Sequence, residues 1–139
     1  VAKPPVVADL TWLGDLKFQG VSGLASITID GDSTAGPSPV QALVFALAGC
    51  MAADLVYILT KGRHTIRALR ARLTAQRAQD NPHRLLAVAL RFEIEGAVPA
   101  DAVQRAISLS RDKYCSVWHS LNPDIELQVT SDIRVPAEG

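Results

Sequence analysis

The side chains best suited to chemistry are two cysteines, Cys50 and Cys115. A thiolate attacks the O–O bond of a peroxide and becomes a sulfenic acid, which a second thiol traps as a disulfide before further oxidation. Bonding of the pair requires Cα atoms within about 7 Å. Arg111 lies one helical turn before Cys115 and His119 one turn after it, so on a helix both share its face. Positive charge there lowers a thiol pKa, and an imidazole can carry its proton. Around Cys50 the neighbours are apolar, and Asp54, one turn on, opposes ionisation. Plain core packing is the other reading of each cysteine, since free cysteine is among the most buried residue types. A zinc site from Cys50, Cys115 and His119 lacks the close C-x-x-C pairs of structural zinc, and neither a metal nor another cofactor is expected. Trp12, Tyr114 and Trp118 read as wall and core, which beside Cys50 would favour an apolar hydroperoxide over hydrogen peroxide.

The elements that must carry these residues can be read from spacing. Ser38 is a cap and Pro39 a first helical residue, where the missing N–H costs nothing. Leu43, Ala46, Leu47, Cys50, Ala53, Asp54 and Tyr57 recur at helical spacing, and Lys61 with Gly62 supplies the stop. Val44, Phe45, Leu55, Val56, Ile58 and Leu59 make the other faces apolar too, so the helix needs protein on most sides and a second subunit to finish its cover. A second helix is expected over residues 101–119, with Val103, Ala106, Ile107, Ser110, Tyr114, Val117 and Trp118 as its buried stripe. Before the first helix, residues 6–13, 17–18 and 24–30 read as strands, parted by Gly14-Asp15 and by the stretch from Gly20 to Gly23. Between the helices the period changes to two. Leu69, Ala71, Leu73 and Ala75, then Leu86, Val88, Leu90, Phe92 and Ile94, form the inner face of a hairpin turned at Asn81-Pro82. A last strand begins at Ile125. The order is βββ-α-ββ-α-β, an α+β class in which mostly antiparallel sheets pack on two helices.

The totals bound the partners. A chain of 139 residues is one domain, 1–139, with a largely aliphatic core. Fourteen basic residues balance fourteen acidic ones, so no net field points to nucleic acid. The basic residues of 61–77 read as a solvated sheet face. Two cysteines are not a secreted disulfide framework. The first ten residues do not read as a signal peptide. The apolar stretch 42–53 is shorter than the roughly twenty residues of a membrane span. A cytoplasmic protein without membrane or nucleic-acid partners is therefore expected.

Three segments resemble the OsmC/Ohr superfamily, in its YhfA-like branch. They are Gly36-Pro37-Ser38-Pro39 opening a helix that reaches Gly49-Cys50, then Tyr57-Ile58-Leu59-Thr60-Lys61-Gly62-Arg63, and Ser110-Arg111-Asp112-Lys113-Tyr114-Cys115. The stretches Trp12-Leu13-Gly14 and Phe18-Gln19-Gly20 are similar to the family's opening hairpin. The resemblance implies an OsmC-like fold, an intertwined homodimer with the two cysteine helices at its centre, and a thiol peroxidase in which Cys50 attacks and Cys115 resolves. It also implies a small organic hydroperoxide as substrate and a dithiol reductant, of lipoyl or thioredoxin type. In that family an arginine of the opening strands and a glutamate just after the helix-starting proline polarise the reactive thiol. Here Val40 and Gln41 follow Pro39, and the opening strands carry Lys17 but no arginine. Lys17, Gln41, Arg63, Arg111 and His119 are the residues available to compensate, with Gln41 orienting a substrate oxygen. A binding or sensor protein without efficient peroxidase activity is the other function such a chain could serve.

Overall fold

Local turn chemistry sets the first three strands, in a computed structural model that describes residues 3–135. β1 (Asp9–Gly14), β2 (Lys17–Ser22) and β3 (Ala25–Asp30) pair antiparallel in that order. Asp15 turns the first hairpin with φ 49°, and Trp12 Nε1 donates to its carbonyl at 2.8 Å. Gly23, φ 58°, turns the second. Gly20, expected in that turn, lies inside β2 and is buried. A Cβ there would stand 3.3 Å from the Ile27 side chain across the ladder, so the glycine serves close packing rather than turning.

The loop that follows is organised by one carboxylate. Asp30 is only 1% exposed. It accepts the backbone N–H groups of Asp32 at 2.9 Å, Thr34 at 3.3 Å and Ala35 at 2.9 Å, and the Thr34 hydroxyl at 2.8 Å. The Ala35 and Asp32 amides, with the Thr34 hydroxyl, hold its pKa down at about 2, against an ordinary 3.8. Gly36 then passes so close to β3 that a Cβ would sit 2.0 Å from the Thr28 carbonyl oxygen; no other residue fits without moving the backbone.

This loop delivers the chain to α1 (Pro39–Lys61). Ser38 Oγ accepts the Gln41 N–H at 3.2 Å, and Gln41 Oε1 accepts the Ser38 N–H at 2.9 Å, a reciprocal capping box. At the other end His64 N–H reaches the Leu59 carbonyl at 3.0 Å and Arg63 N–H the Thr60 carbonyl at 2.9 Å. That is a Schellman stop, and its left-handed residue is Arg63, φ 66°, rather than the expected Gly62.

The second sheet is built by β4 (Thr65–Arg77), β5 (Leu85–Ala97) and β6 (Glu126–Arg134), in that order. β4 and β5 are antiparallel. β5 and β6 are parallel, joined through α2 (Ala100–Leu109), as a parallel pair requires a crossover. Val88, Leu90, Phe92 and Ile94 face inward as expected. Leu86 does not: the ladder passes from Gln76↔Ala87 to Arg77↔Leu85, and this bulge turns Leu85 inward and leaves Leu86 41% exposed. Arg67, Arg70, Arg72 and Arg77 of β4 are exposed, and Arg67 pairs with Glu95. The part of the basic run that lies in β4 is therefore a solvated sheet surface, whereas Lys61 and Arg63 belong to the end of α1. The second helix, expected to continue through residue 119, ends at Leu109. It passes into a π-helical turn (Ser110–Tyr114), an extended Cys115 and a 3-10 turn (Trp118–Ser120). Tyr114, expected in the buried stripe, is 49% exposed because the π turn rotates it away.

The chain divides into two compact units, Val1–Phe45 and Ala46–Gly139, with α1 beginning in the first and continuing in the second. Leu47, Met51, Leu55 and Leu59 of α1 lie in the core of the second unit with Phe92, Leu90, Ile94, Val103, Ala106 and Ile107. Only this narrow stripe of α1 is fully buried, and Phe45, Val56 and Tyr57 are 68%, 43% and 66% exposed. By length and composition α1 is apolar enough to cross a membrane, which the count of residues 42–53 underestimated.

Because Asp30 titrates below the ordinary carboxylate, its contribution to stability is present above that value and is lost as the pH falls through about 2. Asp30→Asn is expected to lower the urea midpoint at neutral pH and to flatten the loss of stability between about pH 5 and about pH 2. Urea melts of both proteins across that range check it; parallel pH profiles would be the contrary result.

Candidate thiol site

Cys50 sits midway along α1, half-buried, on the turn before Asp54. Cys115 is fully buried, and both thiols are free. The two sulfurs and a carboxylate oxygen of Asp54 all lie within 4.8 Å of one another. The chain thus brings together the two cysteines that spacing singled out, and adds a third group that it treated only as a hindrance.

The π turn makes this convergence. Cys115 N–H donates to the Ser110 carbonyl at 2.8 Å, five residues back, and the chain then extends at Cys115 with ψ 100°. Cys115 is therefore presented by a helix end rather than by a helix face. Ser110, buried at the start of the turn, donates its hydroxyl to Asp54 Oδ2 at 2.7 Å and fastens this end to the middle of α1. Trp118 N–H donates to Cys115 Sγ at 3.3 Å.

Burial dominates the electrostatics of Cys115. Removal from water pushes its thiol up to about 11, against an ordinary 9.0; the Trp118 amide pulls the other way and nearby Cys50 adds to the rise. Cys115 is thus a proton-bearing thiol at neutral pH, and the more accessible Cys50 is the one a reagent meets first.

The other candidate residues have partners of their own. Arg111 Nε donates to Asp112 at 3.0 Å, and His119 Nε2 donates to the Arg111 carbonyl at 2.9 Å. The early end of α2 removes the helical register that would have set both beside Cys115. In the first unit, Lys17 pairs with Asp15 at 3.5 Å. Gln41 closes the α1 cap and also accepts from Ser33. The pairing of Asp54 with Ser110 is the part of the site that sequence reasoning missed. A carboxylate one turn from a cysteine in an otherwise apolar helix was the available signal.

The buried, protonated Cys115 thiol contributes stability below pH 9.0 that is lost as the pH rises through about 11. In folded Cys50→Ser, Cys115 is expected to resist alkylation at neutral pH and to react only as the pH approaches 11, while the unfolded chain reacts near 9.0. Alkylation rates followed by mass across pH test this, and rapid neutral labelling of the folded chain would contradict it.

The sequence model of the family described as OsmC-like protein matches residues 30–130. Protein YhfA of Escherichia coli strain K12 is 38% identical over 113 residues, which are 79% of this chain and 84% of YhfA. A hypothetical protein from Aquifex aeolicus VF5 has the same fold, with a TM-score of 0.89 at 21% identity over 97% of this chain and all of the other. An organic hydroperoxide resistance protein OsmC from Legionella pneumophila superposes with a TM-score of 0.68 at 11% identity, covering 94% and 98% of the two chains. With the family's pattern matched from the end of β3 to the middle of β6, and YhfA similar across most of both lengths, this chain belongs to the OsmC-like protein family.

Proposed function

We propose that this protein reduces organic hydroperoxides with a cysteine pair, Cys50 attacking and Cys115 resolving. The observation that carries the reading is the approach of two free thiols of unequal exposure to within 4.8 Å. The organic hydroperoxide resistance of the Legionella relative supplies the substrate class. The Cys50 thiolate attacks the distal peroxide oxygen, the O–O bond breaks, and the alkoxide takes up the thiol proton to leave as an alcohol. Cys50 is then a sulfenic acid. Cys115 attacks its sulfur, and the hydroxyl departs as water with the Cys115 proton, leaving a disulfide. A dithiol of lipoyl or thioredoxin type returns both sulfurs to thiols. The setting is cytoplasmic, where thiols are kept reduced.

The exposed flank of α1 favours a homodimer. A groove of about 810 Å³ is lined by Ala52, Ala53, Val56, Tyr57, Thr60 and Lys61, on a helix whose inner stripe alone is fully buried. Packing this flank against a second copy removes the apolar surface from water. In such a dimer, Lys17, Gln41, Arg111 and His119 are the residues we propose as supporting the reaction.

A second reading is a binding or sensor protein on the same fold. The raised pKa of Cys115 favours it, because burial opposes thiolate formation there.

Loss of free thiols on addition of cumene hydroperoxide or hydrogen peroxide separates the two. The peroxidase reading expects both thiols to be lost to an intrachain disulfide, faster with the organic peroxide, and no disulfide in Cys50→Ser or Cys115→Ser. Thiols that stay inert in the folded protein would leave the sensor reading. For the assembly, sedimentation should give a dimer for the wild type and a monomer for Val56→Glu; a wild type that sediments as a monomer at micromolar concentration would end the dimer proposal.

A further inference from the structure

Two thiols and a carboxylate that converge on one point are also a ligand set. We propose that the reduced chain binds a divalent zinc-type cation through Cys50 Sγ, Cys115 Sγ and the Asp54 carboxylate, with the fourth position open. In a tetrahedral zinc site, Zn–S bonds of about 2.3 Å place two sulfurs roughly 3.8 Å apart. The three donors here lie within 4.8 Å of one another, so small side-chain rotations close the set around an ion. The donors are one each from two neighbouring turns of α1, at i and i+4, and one from the end of the π turn after α2. Donors at i and i+4 share a helix face.

What surrounds the donors fits a metal as well. Ser110 Oγ holds Asp54 Oδ2 at 2.7 Å and leaves the carboxylate further lone pairs. Trp118 N–H is directed at Cys115 Sγ at 3.3 Å. Such outer hydrogen bonds orient the groups that bind a metal directly and are part of how metal sites are tuned. Soft thiolates select Zn²⁺ over Mg²⁺ or Ca²⁺, and the hard carboxylate favours a divalent ion over Cu(I). His119, the natural third ligand by residue type, is turned to the Arg111 carbonyl, and Asp54 takes its place.

The consequence is a regulated thiol pair. A cation shared by both sulfurs prevents their joining, and a disulfide leaves no thiolate to bind the cation. Two of the three ligands, the sulfurs, are the atoms that the peroxidase reading uses, but the binding does not depend on that activity.

The test is titration of the reduced, chelator-treated full chain with Co²⁺ and then Zn²⁺, in the absence of peroxide. Cobalt reports thiolate ligation by a sulfur-to-metal charge-transfer band and tetrahedral geometry by intense visible bands. Both are expected at one equivalent per chain and should be displaced by Zn²⁺. Cys50→Ser and Cys115→Ser should each abolish or halve the charge-transfer band, Asp54→Asn should weaken zinc binding, and Ser110→Ala should weaken it about 10- to 100-fold. A reduced wild type without a charge-transfer band overturns the proposal, as does a band unchanged in either cysteine variant. Zinc affinity unchanged in folded Asp54→Asn removes the carboxylate from the ligand set and overturns the site as stated. Thiol oxidation measured separately on the metal-free chain keeps this outcome distinct from the fate of the peroxidase reading.

Discussion

The hydroxyl of Ser110 and the carboxylate of Asp54 form the contact on which the thiol site depends. Ser110 is fully buried and Asp54 half-buried, and a buried polar group left unpaired costs free energy. The Ser110 hydroxyl therefore requires the carboxylate. Their bond fixes the end of α2 against the centre of α1, and the π turn that begins at Ser110 carries Cys115 into reach of Cys50. Shortening that turn by one residue, as in a continuous α-helix, would rotate Cys115 by about 100° and part the sulfurs.

The balance between reactivity and protection in the site follows from the same geometry. Cys115 lies where water does not reach and keeps its proton, whereas Cys50 keeps a partly open side. The carboxylate beside them suits a cation that would neutralise two thiolates. Peroxide reduction and metal binding thus draw on one constellation, and the charge brought by a substrate, a partner side chain or an ion decides which chemistry is expressed.

Much of this was legible in the residues. Ser38 and Pro39 marked the start of α1, and the two-residue period placed Val88, Leu90, Phe92 and Ile94 in the core, because capping and pleating are local effects. What escaped was decided by contacts distant in sequence. The break in the second helix answers to Asp54, far away along the chain, and Ser110 in isolation reads as an ordinary helical residue. Leu86 exchanged its place with Leu85 because of a bulge in the ladder with β4, which no pattern within β5 records. Arg63 in a left-handed conformation, beside a glycine better suited to it, reflects hydrogen bonds back into α1. Asp30 was read as the end of a strand, and its role as the hub of the next loop rests on amides that follow it.

Asp54 has a further consequence while the chain is still being made. The 23 residues of α1 emerge from the ribosome as a segment that matches a bilayer in length and hydropathy. A carboxylate inside such a segment costs up to about 2.5–3.5 kcal/mol on insertion by the translocon, the figure for the helix centre, and so opposes the contribution of several leucines. Before Ser110 has been synthesised, and before any thiol has met its partner, this one charge already lowers the tendency of the nascent helix to enter lipid.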